Sequence, residues 1–309
     1  MKGRSVALAA GAGIAAVGNR ALGRGGGELP PGLPGDQDHY RWRGMDVSYA
    51  ALGDPEDPPI VLFHDVGVVG TSREFVGVAE TLAEDHRVYA PDMPGYGRSD
   101  RPPITYSASI YEAFVGDFLA DVPASDDSPA VVAVGLAGSY AALAAPGADV
   151  EQLVLVTPVA DTGSQSVGRR ALLRSPVFGT AIYNGLTSGG GLRSGAVGAR
   201  FYGAPPAEFL EYCWTAAHQP GARYAPASYL GGHLDPGIEV EAALADVEAD
   251  VTLLWGREST DPSLESGRDL AAATDARLVV VDYAKRLPHL EHPAETLAAL
   301  ELGLVPPTV

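Results

Sequence analysis

Lysine is almost missing from this chain of 309 residues: Lys2 and Lys285 are the only two. Cysteine is scarcer still, with Cys213 alone. A single cysteine excludes an intramolecular disulfide and any cysteine-rich metal site. Lysine and arginine together number 21 against 39 acidic residues, a formal charge of −18. That shortage of positive charge argues against nucleic-acid binding, which needs a basic face. Long apolar runs are lacking too. Val6 to Gly18 is uncharged and rich in alanine and glycine, but it falls well short of the ~20 apolar residues that span a bilayer. No residue set suggests a cofactor or a metal. His218 and His233 are too far apart in sequence to form a metal site alone, and Gly189-Gly190-Gly191 does not open a helix after a strand, as a phosphate loop would.

What is present is a core. Apolar residues make up 46% of the chain, enough for a packed globular fold rather than disorder. Apolar runs at Ile60–Phe63, Val131–Val134, Leu153–Val156 and Leu278–Val281, and the run Val251–Trp255 interrupted only by Thr252, read as buried strands. Tyr40 to Leu52, alternating around Gly44, predicts an antiparallel hairpin. Helical patterns separate the strands: one capped by Thr71 or Ser72 and running to Leu82, others over 107–119, 262–273 and 293–302. Buried strands alternating with helices imply an α/β fold with a mostly parallel central sheet covered on both faces. Residues 163–235 break the alternation with short helical patterns and many aromatics, which predicts a helical cap. The expected organisation is an apolar N-terminal segment and Gly/Pro linker (1–34), a core (35–162 plus 236–309) and the cap between its two parts. Residues 1–20 fit the apolar part of a signal sequence, a weak membrane anchor or an unstructured tail. The expected location is therefore cytoplasmic, or membrane-associated or exported through that segment.

Four landmarks carry a resemblance. His64-Asp65-x-Gly67 follows the first buried strand. Asp92-x-Pro94-Gly95-x-Gly97-x-Ser99 follows a second strand-like run, Arg87-Val88-Tyr89-Ala90-Pro91. A tight small-residue turn, Gly135 to Ser139, follows Val134. Leu287-Pro288-His289-Leu290-Glu291-His292-Pro293 lies near the C-terminus. In order and spacing the chain resembles the α/β-hydrolase fold over about residues 40–305, specifically its capped members related to esterases, haloalkane dehalogenases and epoxide hydrolases. Its acidic, lysine-poor composition is similar to that of proteins from extreme halophiles.

The resemblance implies a nucleophile, a histidine base and an orienting acid, and each expected position holds something else. The G-x-S-x-G turn of such enzymes places Ala137 where the nucleophile belongs. The base position, five residues before Glu291, is Arg286, which stays protonated and cannot act as a base. The acid position after Trp255-Gly256 is Ser259, with Glu258, Asp261 or Asp161 nearby. Asp65, Val66 and Gly138 are expected at an oxyanion-hole-like loop, and His64, Arg286, Tyr183 and Trp214 around a capped pocket. The leading expectation is a catalytically degenerate protein that keeps this pocket for a small ligand, with an anion as the candidate opposite Arg286. The alternatives are an active serine hydrolase with a non-standard set, such as Ser139 with His64 or His289, and a scaffold tethered to a membrane through residues 1–20.

Overall fold

The computed structural model describes residues 27–123, 127–159 and 165–304. Eight strands form one sheet in the order β1-β2-β4-β3-β5-β6-β7-β8. They are β1 (Asp36–Trp42), β2 (Met45–Leu52), β3 (Pro59–Phe63), β4 (Arg87–Pro91), β5 (Ala130–Val134), β6 (Gln152–Val156), β7 (Asp250–Gly256) and β8 (Arg277–Val281). The expected hairpin is β1–β2, paired from Trp42 to Met45. Arg43 and Gly44 both have positive φ, 47° and 87°, the geometry that matches a two-residue turn to strand twist. From β4 onward the pairings are parallel.

Every residue of β3, β5 and β6 is buried, as strands covered on both faces must be. Their side chains divide by alternation. Val61, Phe63, Val131, Ala133, Leu153 and Leu155 join one apolar cluster. Ile60, Leu62, Val132, Val134, Val154 and Val156 join the other. The first face is covered by α1 (Ala108–Asp121) and α2 (Leu136–Ala144), with Tyr111, Phe114 and Phe118 of α1 fully buried. The helix expected from Thr71 to Leu82 is instead two short turns, Ser72–Phe75 and Ala79–Leu82. The break lies by Gly77, where an added Cβ would stand 3.1 Å from Pro293 Cβ, so the chain is pinched against the C-terminal segment.

Between β6 and β7 the described residues form helices and turns only: α3 (Val167–Arg174), α4 (Phe178–Leu186), α5 (Ala207–Ala217), α6 (Tyr224–Leu230) and α7 (Val240–Leu244). The Gly/Pro stretch before β1 is irregular, as expected, yet from residue 27 it is docked. Leu29 packs with Tyr212 and Ala216 of α5. Tyr212 Oη donates to Pro30 O (3.0 Å), and Arg73 Nη1 donates to Gly32 O (3.2 Å). This strap therefore bridges cap and core. The first 20 residues, expected as tail or anchor, lie outside the described residues, as does Asp161.

Candidate functional site

The elbow is set by where β5 stops. Val134 pairs with Val156, Gly135 N–H donates to Val156 O (3.0 Å), and α2 begins at Leu136. The turn therefore falls on Gly135 alone, with φ 58° and ψ −124°. Such backbone is strained for any residue with a side chain. This corrects the expected register by two residues: Ala137 is inside α2 and fully buried. The residue on the strained strand-to-helix turn, where a nucleophile would project, is Gly135. Gly138 is corrected as well. Its N–H donates back to Gly135 O (3.1 Å) within the turn, and the donor aimed out of the elbow is that of Leu136.

That donor is occupied. Leu136 N–H donates to Asp65 Oδ1 at 3.1 Å. A Cβ added to Gly135 would collide with the same carboxylate. Asp65 thus fills the space of the missing side chain and accepts from the N–H that would face a developing oxyanion. Two arginines hold it there. Arg200 Nη2 is 3.3 Å and Arg286 Nη2 is 3.5 Å from Asp65 Oδ2. Arg200 Nη1 also pairs with Glu74 Oε1 at 2.8 Å, and Asp65 N–H donates to Glu74 Oε2 at 3.3 Å. Two carboxylates and two guanidiniums form a charge-balanced cluster. Only the Arg286 side chain, 21% exposed, reaches solvent appreciably. Burial opposes the charge of Arg200, but Glu74 and then Asp65 outweigh it and raise its pKa.

Arg200 and Glu74 escape a reading of the sequence. Arg200 comes from a single turn of the cap, Gly198–Arg200, and Glu74 from the turn after β3; a lone charge beside a phenylalanine was the one signal in each case. Arg286, expected at the base position, lies beside Asp65. Its loop is fixed by Glu291, which accepts from Lys285 N–H (2.7 Å) and from Tyr202 N–H of the cap (2.6 Å).

The other candidates have structural partners. His64 Nε2 accepts from Met93 N–H (2.8 Å), and its Nδ1 lies 2.8 Å from Asp65 O. Backbone groups thus engage both nitrogens and leave none for proton transfer. Ser139 Oγ donates to Val159 O (2.6 Å) and is 1% exposed. Ser259 Oγ donates to Pro262 O (2.6 Å). Glu258 accepts from Ala284 N–H (3.0 Å), and Asp261 is exposed. Val66 is fully buried. Tyr183 Oη donates to Ala217 O (2.9 Å), and its ring lines a void of about 10 Å³ with Tyr96, Gly97 and Arg101. This volume is at the lower limit for one water. Trp214 stacks on His218 at 4.3 Å and lines a separate 310 Å³ cleft of the cap with Leu192, Arg193 and Leu210. Tyr183 and Trp214 therefore face different spaces. The Asp92 motif is scaffolding: its carboxylate accepts from Ser72 and Arg98 N–H, both at 2.8 Å. Among the described residues there is no cluster of three metal-ligating side chains.

His289 is 1% exposed, packs 5.2 Å from the Phe75 ring, and has no hydrogen-bond partner on either nitrogen. Burial, and secondarily Arg200, pushes its pKa down to about 3. Protonation therefore favours the unfolded chain between about pH 6.5 and pH 3. Stability should fall through that window by up to about 1.4 kcal/mol per pH unit on this account. In His289→Phe that part of the slope should vanish, which urea midpoints at pH 4 to 7 for the two proteins will measure.

The sheet order, the elbow and the cap after β6 define an α/β-hydrolase fold. The chain belongs to the alpha/beta hydrolase family, whose profile matches residues 60–300. Among solved structures, it superposes on an alpha/beta hydrolase fold protein from Burkholderia ambifaria with TM-score 0.66 and 24% identity, over 85% of this chain and 96% of that one. A probable hydrolytic enzyme from Pseudomonas aeruginosa gives TM-score 0.70 and 21% identity, over 90% and 96%. A bacterial membrane phospholipase A gives 0.70 and 20%, over 98% of both chains. At these identities the likeness is one of fold. An uncharacterised Mycobacterium tuberculosis protein is 38% identical over 63 residues, 20% of this chain and 18% of that one. The chain thus matches less than a fifth of the length of that curated relative. No helix among the described residues is long and apolar enough to cross a membrane.

Proposed function

We propose that this chain is a non-hydrolysing member of its family, in which an internal ion cluster has replaced the catalytic centre and clamps the cap to the core. One observation carries the reading: the Asp65 carboxylate sits on the Leu136 N–H, in the space that a side chain on Gly135 would need. A hydrolase of this fold needs a nucleophile at the turn, a base beside it and an empty anion hole. Here the turn has no side chain, the base position is an arginine, and the hole holds a carboxylate. The small anion first expected opposite Arg286 is, on this reading, the chain's own Asp65. The role that remains is binding or assembly on a hydrolase scaffold.

An active enzyme with a non-standard set finds no support in these contacts, since Ser139, His64 and His289 are buried and none is hydrogen-bonded to another. The test is exposure to a fluorophosphonate probe, in dilute buffer and in molar salt, followed by intact-mass measurement. No labelling is expected. Stoichiometric labelling of one serine would overturn the proposal.

A further inference from the structure

Charge is distributed unevenly over this acidic chain. Residues 162–207 contain no Asp or Glu but carry Arg169, Arg170, Arg174, Arg193 and Arg200. Arg200 is consumed by the buried cluster. The other four make no ion pair among the described residues, as is also true of the exposed Arg268 and Arg277, and Arg170 Nε donates to Gly231 O (3.0 Å). Three of the four unpaired arginines belong to α3, which buries only Leu173. The same helix exposes Val167 (83%) and Leu172 (44%). His233 registers the local potential: burial, and then Arg170 and Arg174, push its pKa below the usual value.

The strap meets the cap at Gly27. Gly27 O is held there by Gln219 Nε2 at 2.9 Å. The sequence before it carries Lys2, Arg4, Arg20 and Arg24 with no acidic residue, and the uncharged stretch Val6 to Gly18.

We infer that the cap, through α3, docks peripherally on an anionic lipid bilayer, with the arginines on lipid phosphates and Val167 and Leu172 inserted among the acyl chains. A short helix with arginines beside exposed aliphatic residues has the composition that lies in a membrane interface rather than across it. The acidic charge of the rest of the chain is screened within about a nanometre at physiological salt. The same asymmetry therefore orients the molecule with its cap toward the surface. The docking face does not include the ion cluster, so it holds whether or not the site is silent.

The test is co-sedimentation of the full chain with phosphatidylglycerol vesicles and with phosphatidylcholine vesicles. Binding is expected to the first only, and is expected to weaken as salt rises from about 0.1 M to 1 M. The charge reversal Arg169→Glu with Arg174→Glu should weaken it by at least about tenfold, with the thermal midpoint unchanged. Arg169→Lys with Arg174→Lys should retain most of it, and Val167→Ser with Leu172→Ser should weaken it at fixed charge. Equal binding to both vesicle types would overturn the inference, as would full binding by the charge-reversed protein. So would a concentration-dependent dimer, without vesicles, that the charge reversal abolishes: the face would then serve a second copy's acidic core.

Discussion

Arg200→Ala is expected to lower the free energy of unfolding by about 3–5 kcal/mol, the range for removing one partner of a buried ion pair. The cost comes from what stays behind. Asp65 and Glu74 are 5% and 1% exposed, and both would be left in the interior with only Arg286 near one of them. Arg200 also joins cap to core, so the loss should appear first as faster amide exchange in the turn Gly198–Arg200 and in α5. Arg200→Met with Asp65→Ala and Glu74→Gln removes the three buried charges and leaves only Arg286, 21% exposed and open to water, so it should recover most of the loss, because a buried ion cluster can be replaced by uncharged groups at little cost. Urea denaturation of the single and triple variants measures both effects. A single variant within about 1 kcal/mol of the parent would mean that water already solvates the cluster, leaving it energetically like a surface pair.

Gly135→Ser, the obvious step toward a nucleophile, is expected to destabilise by about 2–4 kcal/mol and to restore no esterase activity. Positive φ at the turn contributes about 1–3 kcal/mol of strain. The collision of the new Cβ with the Asp65 carboxylate adds to it. Asp65→Gly should relieve the collision, so the double variant should be more stable than the sum of the two single effects predicts, by about 1–2 kcal/mol of coupling. Only with Arg286→His added are a nucleophile, a base and a free Leu136 N–H present together. Hydrolysis of short p-nitrophenyl esters by the triple variant, and by neither lower variant, is the expected pattern. Activity in Gly135→Ser alone would show that Asp65 moves aside freely.

The sheet is legible almost strand for strand, because runs such as Ile60–Phe63 and Leu153–Val156 are too apolar to lie anywhere but inside. The sequence pattern places the elbow on the correct strand and the wrong residue. Ala133, Gly135, Ala137 and Ser139 are all small, so two overlapping small-residue ladders fit the same turn. The pairing of Val134 with Val156 decides between them, and that is a tertiary fact. Arg286 was legible because Pro288 and Glu291 fix its count along the chain. The cluster around it was not. Asp65, Glu74, Arg200 and Arg286 come from four separate segments, and nothing local in any of them names the others. His64 was ambiguous for a related reason, since its partners are backbone groups of Asp65 and Met93, invisible to residue type.

The contact between Gly135 and Asp65 also bears on how such a site is lost and kept. Glycine at the turn admits the carboxylate, and the carboxylate then excludes any larger residue from the turn. While Asp65 stands, a return to serine at 135 is penalised. While Gly135 stands, removing Asp65 strands Arg286 beside a vacant N–H and leaves Arg200 with Glu74 alone. Each residue thus constrains what the other position tolerates, and a single substitution at either is penalised. If the chain is non-hydrolysing as proposed, this mutual dependence would act as a ratchet against regaining a nucleophile at the turn.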